Sequence, residues 1–213
     1  LNIASEGDAV TLIGQIRQGE VYDPVSKALS YLRDGVDAVS LFTDDRIYSK
    51  GMDDLLLVSL GVPKSPVIYQ DYILNEYHVT EARAAGAAAI VVYSSILDRR
   101  ALRQVVSLAQ RWQMTSIVQV SDIDELDYAT SLSPHVIGFG VDRKFIPERD
   151  FAIIEDLASF IPYNMRRMSL GCFQTLDEVA TAVELGMNAV IVDDALIKHP
   201  ESAADLNAIL GRD

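Results

Sequence analysis

The chain has 213 residues, 49% of them hydrophobic and 23% charged, with 12 glycines and 7 prolines. That balance suits one sizeable core and a single domain over residues 1–213, and it excludes low-complexity and collagen-like chains. The 31 acidic and 18 basic residues leave a formal net charge of −13, which opposes binding to phosphodiester backbones and anionic lipid, so nucleic acid and membrane are not expected partners.

Short β-branched runs alternate with amphipathic helical patterns along the chain. Val10–Ile16 reads as the first strand, and a helix is expected from Pro24, a residue suited to a first helical turn. Ala38–Phe42 is followed by a helix over Met52–Leu60, and Pro66–Tyr69 by one over Asn75–Ala85. Ala89–Tyr93 leads into a long helix over Asp98–Gln113, and Ser116–Val120 into one over Ile123–Ser131. Val136–Phe139 precedes a helix over Arg149–Ile161, and Arg167–Leu170 one over Thr175–Leu185. Ala189–Val192 and a final helix near Ala203–Leu210 complete eight strand–helix units.

Runs such as Ala-Ile-Val-Val-Tyr are apolar on both faces, as parallel strands covered by helices must be. Gly35, Gly86 and Gly186 each stand just past a helix and shortly before a strand, where a helix stop wants positive φ. Eight units in this length imply an α/β fold of the closed (β/α)8 TIM-barrel type, with a doubly wound open sheet as the runner-up. The one cysteine, Cys172, excludes an internal disulfide and fits a reducing compartment, either the cytoplasm or an organelle. The chain begins at Leu1 rather than Met, so a targeting segment ahead of it would not be visible.

Several stretches resemble indole-3-glycerol phosphate synthase, the barrel enzyme of tryptophan biosynthesis. They are Asp71-Tyr-Ile-Leu-Asn-Glu-Tyr-His-Val-Thr-Glu-Ala-Arg-Ala-Ala-Gly86, Leu41-Phe-Thr-Asp-Asp45 with Tyr48-Ser-Lys-Gly51, Ser121-Asp-Ile-Asp-Glu-Leu126, Thr175-Leu-Asp-Glu-Val179 and Asn188-Ala-Val-Ile-Val192. The similarity runs in order from about Val10 to Leu210, without the family's N-terminal helical segment. The resemblance implies a reaction that closes a phosphorylated, carboxylate-bearing aminodeoxyribulose into an indole with loss of carbon dioxide and water. That chemistry uses a lysine general acid, carboxylates that move protons, and donors for the phosphate, all at the C-terminal ends of the strands.

At the positions that match those motifs, this chain differs. The first-strand Ile-Ala-Glu-Ile-Lys-Arg reads Ile13-Gly-Gln-Ile-Arg-Gln18, so the carboxylate is Gln15 and the lysine Arg17. The serine-rich mobile loop that follows is deleted, with Gly19 running almost straight into Val21-Tyr-Asp-Pro24. The third-strand Lys-Asp-Phe reads Gln70-Asp71-Tyr72, which replaces the principal acid with an amide. Gln119 stands for the fifth-strand carboxylate, Gly140 for the sixth-strand asparagine, and Leu170 and Gly171 for the carboxylate and serine of the seventh. An amide does not titrate near neutral pH, and an arginine stays protonated, so neither serves as general acid or base. Asp193 and Asp194 replace the eighth-strand glycine turn of the phosphate site; a carboxylate there is a good helix cap and repels a phosphate by on the order of 1–4 kcal/mol within about 4 Å.

Other chemistry is expected to be bland. Cys172, placed just past the seventh strand, fills a former glycine position without a histidine beside it. His78, His135 and His199 lie away from strand C-termini, which disfavours a triad or a zinc site. Asp44, Asp71, Asp142, Asp193 and Asp194 fall near strand ends, but the first two of the five belong to the family pattern and the last two are caps, so no metal and no cofactor are expected. Arg99, Arg100, Arg103 and Arg111 form a basic stripe, read as a solvated face with helix charge pairs or, more sharply, as an electrostatic docking surface for a protein partner. Trp112 and Met114 are expected in the core.

The sequence therefore points to a non-catalytic homologue of the synthase, kept as a binding or structural subunit. A barrel rebuilt around Gln15, Arg17, Gln70 and Gln119 for a small carboxylate or sugar is the enzyme-class alternative, with residual synthase (carboxy-lyase) activity a third.

Overall fold

The computed structural model describes residues 1–3, 8–17, 22–43, 50–140, 147–198 and 200–212. The doubly apolar strands pair in parallel and close in chain order: β1 (Thr11–Ile16), β2 (Ala38–Phe42), β3 (Val67–Gln70), β4 (Ala89–Tyr93), β5 (Thr115–Val120), β6 (Val136–Phe139), β7 (Arg166–Phe173) and β8 (Ala189–Val192) form a closed eight-stranded barrel. Each strand is followed by a helix: α1 (Pro24–Arg33), α2 (Gly51–Gly61), α3 (Glu76–Ala84), α4 (Arg99–Arg111), α5 (Ile123–Ser131), α6 (Pro147–Leu157), α7 (Leu176–Glu184), then α8 (Asp194–Ile197) and α9 (Pro200–Ile209) after β8. This is the (β/α)8 barrel rather than the open sheet.

The period of two along each strand divides the core. Ile13, Ile68, Val91, Ile117, Met168 and Ile191 pack inside the barrel. Leu12, Leu41, Ile90, Val118, Ile137 and Val190 pack between the sheet and the helices. Each such side chain contributes roughly 1.5–3 kcal/mol of burial, so both layers are needed to offset chain entropy. On the floor of the barrel Ile3 joins the interior cluster, and the Thr115 hydroxyl donates to the Leu1 carbonyl at 3.1 Å.

Several helix starts at the C-terminal face follow side-chain caps, whereas α2 begins after Lys50 without one. Asp23 Oδ1 accepts from the Val25 and Ser26 amides at 3.1 Å ahead of Pro24, and Asp98 Oδ1 accepts from the Ala101 amide at 2.8 Å. Asp122 Oδ1 accepts from the Glu125 amide at 2.8 Å, and Thr175 and Glu178 form a reciprocal capping box. Each cap is worth about 1 kcal/mol and fixes where a strand-to-helix loop ends. At the opposite face Gly86 and Gly186 take φ of +92° and +83°, the left-handed stop that the sequence pattern expects.

Two expectations need correction. β7 extends to Phe173, three residues beyond the expected end, so Cys172 lies inside the strand with its side chain in the interior cluster. A register irregularity between Met168 and Cys172 absorbs the Gly171 that breaks the sequence pattern. Trp112 is not a core residue: it stands at the C-cap of α4 and is 36% exposed, while Met114 is buried as expected.

Candidate functional site at the C-terminal mouth of the barrel

The inward-facing positions of the odd strands bring Gln15, Gln70 and Gln119 to the upper layer of the interior, as alternate-strand layering requires. Registers of Gln15 with Ser40, Phe42 with Gln70, and Tyr93 with Gln119 place them around one mouth. All three amides are buried. Gln15 Nε2 donates to the Ser40 carbonyl at 3.2 Å, and the Ser40 hydroxyl donates to Gln70 Oε1 at 2.9 Å. Gln119 Nε2 donates to the Gly140 main-chain carbonyl, and the Ser94 hydroxyl donates to the Gln119 main-chain carbonyl at 2.7 Å. Gln15 Oε1, Gln119 Oε1 and Ser169 Oγ are buried without a hydrogen-bond partner among the described residues.

The rim combines one cation with aromatic rings. The Arg17 guanidinium lies over the Phe42 ring at 5.9 Å, and the Tyr72 and Tyr93 rings stand 5.5 Å apart. Burial pushes the Cys172 thiol up to about 11, against the pull of nearby Arg17. So raised, it remains a neutral thiol near pH 7 rather than a nucleophilic thiolate. Asp71 is tied in place, its Oδ2 accepting from the Thr43 hydroxyl at 2.8 Å and its Oδ1 from the Tyr72 amide at 2.6 Å.

Leu170 occupies the seventh-strand position where the resemblance expects a carboxylate. A Cβ on Gly138 would meet Leu170 Cδ1 at 2.8 Å, and one on Gly140 would meet Leu170 Cβ at 3.4 Å. The leucine thus fills the space above β6 with hydrocarbon. Gly171 follows it inside β7.

At the end of β8 the two aspartates diverge. Asp193 caps α8, its Oδ1 accepting from the Ala195 amide at 2.9 Å. Asp194 pairs with Lys27 at 2.8 Å and with Lys198 at 3.2 Å. Burial raises the Asp194 carboxyl, but hydrogen bonds from Lys27, Tyr31 and Lys198 outweigh it and hold the group below its ordinary range. The Tyr31 hydroxyl, whose pKa is pushed up by burial and by Asp194, has one proton to share between the Asp194 carboxylate and the Gln15 carbonyl, the latter at 3.1 Å. Lys27, Tyr31 and Asp194 therefore link α1, β1 and α8 beneath the rim. Sequence reasoning missed this link, as it missed Ser40 and Ser94, because each contact depends on strand register rather than local pattern.

The remaining candidates stay apart from the mouth or outside the described residues. His78 Nδ1 accepts from the Leu74 amide at 3.1 Å, and His135 Nδ1 from the Ser116 amide at 3.2 Å on the barrel floor. Asp44, Asp142 and His199 lie outside the described residues. Among the described residues no group of three or more His, Cys, Asp or Glu could hold a metal ion. The basic stripe is exposed, but α4 carries no acidic residue and none of its arginines is in an ion pair among the described residues. The expected helix charge pairs are therefore absent there, and Arg99 lies over the Tyr128 ring at 4.9 Å instead. No described helix is long and apolar enough to cross a membrane.

A closed (β/α)8 barrel with its polar cluster at the C-terminal strand ends defines the class. Comparison with known proteins then gives the family: the indole-3-glycerol phosphate synthase model matches residues 13–209, and the chain belongs to that family. The chain is 34% identical over 193 residues to an indole-3-glycerol phosphate synthase of Listeria welshimeri, covering 90% of this chain and 75% of that one. It is 28% identical over 215 residues to the Dehalococcoides mccartyi synthase, covering 96% and 83%. Among solved structures, the 3-hexulose-6-phosphate synthase of Salmonella typhimurium superposes with a TM-score of 0.72 at 15% identity, over 95% of this chain and 99% of that one. At that identity the likeness shows the fold alone.

Proposed function

We propose that this chain is a binding member of the family that has given up the synthase's acid–base chemistry and takes a small carboxylate or sugar ligand at the barrel mouth. One observation carries the proposal: the positions that resemble the family's acid and carboxylates are Gln15, Gln70 and Gln119, buried amides hydrogen-bonded into the barrel wall. Ring closure with loss of carbon dioxide and water requires groups that release and take up protons near neutral pH, and amides do neither. Leu170 adds hydrocarbon where a further carboxylate is expected.

The ligand class follows from what remains. Arg17 supplies a fixed positive charge at the rim of a chain with net charge −13, suited to one carboxylate. Gln15 Oε1 and Gln119 Oε1 are acceptors that ligand hydroxyls would satisfy, and a buried acceptor left unpaired costs about 1–3 kcal/mol. Crystals soaked with small carboxylates and sugars test this. Density at the mouth in contact with Arg17, lost in Arg17→Ala, supports it; no binding by any of them contradicts it.

A second reading, residual synthase activity, is favoured by the match over residues 13–209 and by relatives bearing that name. On that reading Gln70→Lys alone raises turnover sharply.

A further inference from the structure

Six of the eleven exposed large hydrophobic side chains of the described residues lie in one sector: Leu29, Leu56, Leu57, Leu60, Leu74 and Tyr77. They belong to α1, α2 and the start of the third helical unit, which are neighbours around the barrel. A Cβ on Gly61 would meet Val25 Cγ1 of α1 at 2.5 Å, and one on Gly86 would meet Ser59 Cβ of α2 at 2.6 Å. At 100° per residue, Leu55 and Val58 turn α2 toward the sheet, and Leu60 points directly away from it with Leu56 and Leu57 at its flanks. The exposed face of α4 carries arginines instead. Single exposed leucines are ordinary, whereas several gathered on neighbouring helices mark an interaction surface.

We propose that this sector is the contact between two copies of the chain, related by a two-fold axis with α2 antiparallel to its counterpart. Charge selects the occupant. Exposed Asp53 lies on the same outward stripe as Leu57 and Leu60 at the start of α2, and exposed Lys64 follows its end. An antiparallel two-fold brings Asp53 to the partner's Lys64 at both ends at once, whereas a parallel arrangement sets Asp53 against its own copy. Between those ends α2 carries no basic residue and only one other acid, Asp54, which is buried. A chain of net charge −13 meets a copy of itself with least repulsion at such a charge-poor face. The contact leaves the mouth of the barrel open and does not depend on what binds there.

Sedimentation equilibrium of the chain from micromolar to sub-millimolar concentration tests this. The expected result is reversible association of the 23.4 kDa subunit into a dimer, abolished in Leu57→Glu/Leu60→Glu with an unchanged circular dichroism spectrum. Asp53→Lys should weaken the dimer by about tenfold, and Asp53→Lys/Lys64→Asp should restore it. A chain monomeric throughout, a dimer that survives the leucine substitutions, or a charge reversal without recovery would overturn the proposal.

Discussion

The Ser40 hydroxyl donates to Gln70 Oε1 at 2.9 Å inside the barrel, across the β2–β3 seam. The bond fixes the amide where the family resemblance expects a lysine, and it makes the position an acceptor for its neighbour. Gln70→Lys buries an ammonium and leaves Ser40 without that acceptor. We expect a loss of about 1–3 kcal/mol in urea unfolding, roughly 2–4 °C in Tm per kcal/mol, with no gain of indole formation. Ser40→Ala/Gln70→Met, which removes both polar partners, should cost less than the two single changes added together.

Gly138 and Leu170 form a second interlocked pair. Gly138→Ala drives a methyl toward Leu170 Cδ1 and, at 3.1 Å, Ile117 Cγ2. Overpacking of this kind costs about 1–3 kcal/mol. Gly138→Ala/Leu170→Ala should recover part of that loss relative to Leu170→Ala alone, read from urea midpoints at constant m-value.

Cys172 should be chemically quiet in the folded chain. With its thiol pushed up by burial to about 11, it should react with an aromatic disulfide reagent far more slowly at pH 8 than in the urea-unfolded chain. The raised value stabilises the fold below the ordinary thiol range, and that contribution is lost as pH rises through about 11. Rapid labelling of the native chain at pH 8 would contradict this account.

Asp194 should govern part of the acid limb. Its carboxyl is held below the ordinary 3.8, so its contribution is present above that value and is lost as pH falls through the lowered one. Asp194→Asn should cost roughly 1 kcal/mol at neutral pH after screening of a partly exposed pair, and should flatten the loss of stability below about pH 4. Stability curves of both proteins against pH measure the difference.

Much of the fold was legible in the sequence, because the strands that matter are short apolar runs between helix stops and caps. Ala38–Phe42, Ala89–Tyr93, Val136–Phe139 and Ala189–Val192 have the bounds that pattern predicts. The sequence pattern ends β7 at Leu170 because Gly171 interrupts its run, and the register irregularity carries the strand on to Phe173. Gln15, Gln70 and Gln119 were placed by motif. Their partners were not, because Ser40 reads locally as one polar residue in an apolar strand and meets Gln70 only through register. The Lys27–Asp194 pair was hidden for a similar reason: it joins the first unit to the last, which become neighbours only when the barrel closes.

The most direct measurement is a single-turnover assay with purified chain in excess over the family's aminodeoxyribulose phosphate substrate, followed by indole fluorescence. No product above the rate without protein is expected, in the unaltered chain and in Gln70→Lys alike. Indole formation by the unaltered chain, or its appearance on Gln70→Lys, would contradict the claim that the amide-lined barrel has lost the synthase's proton chemistry.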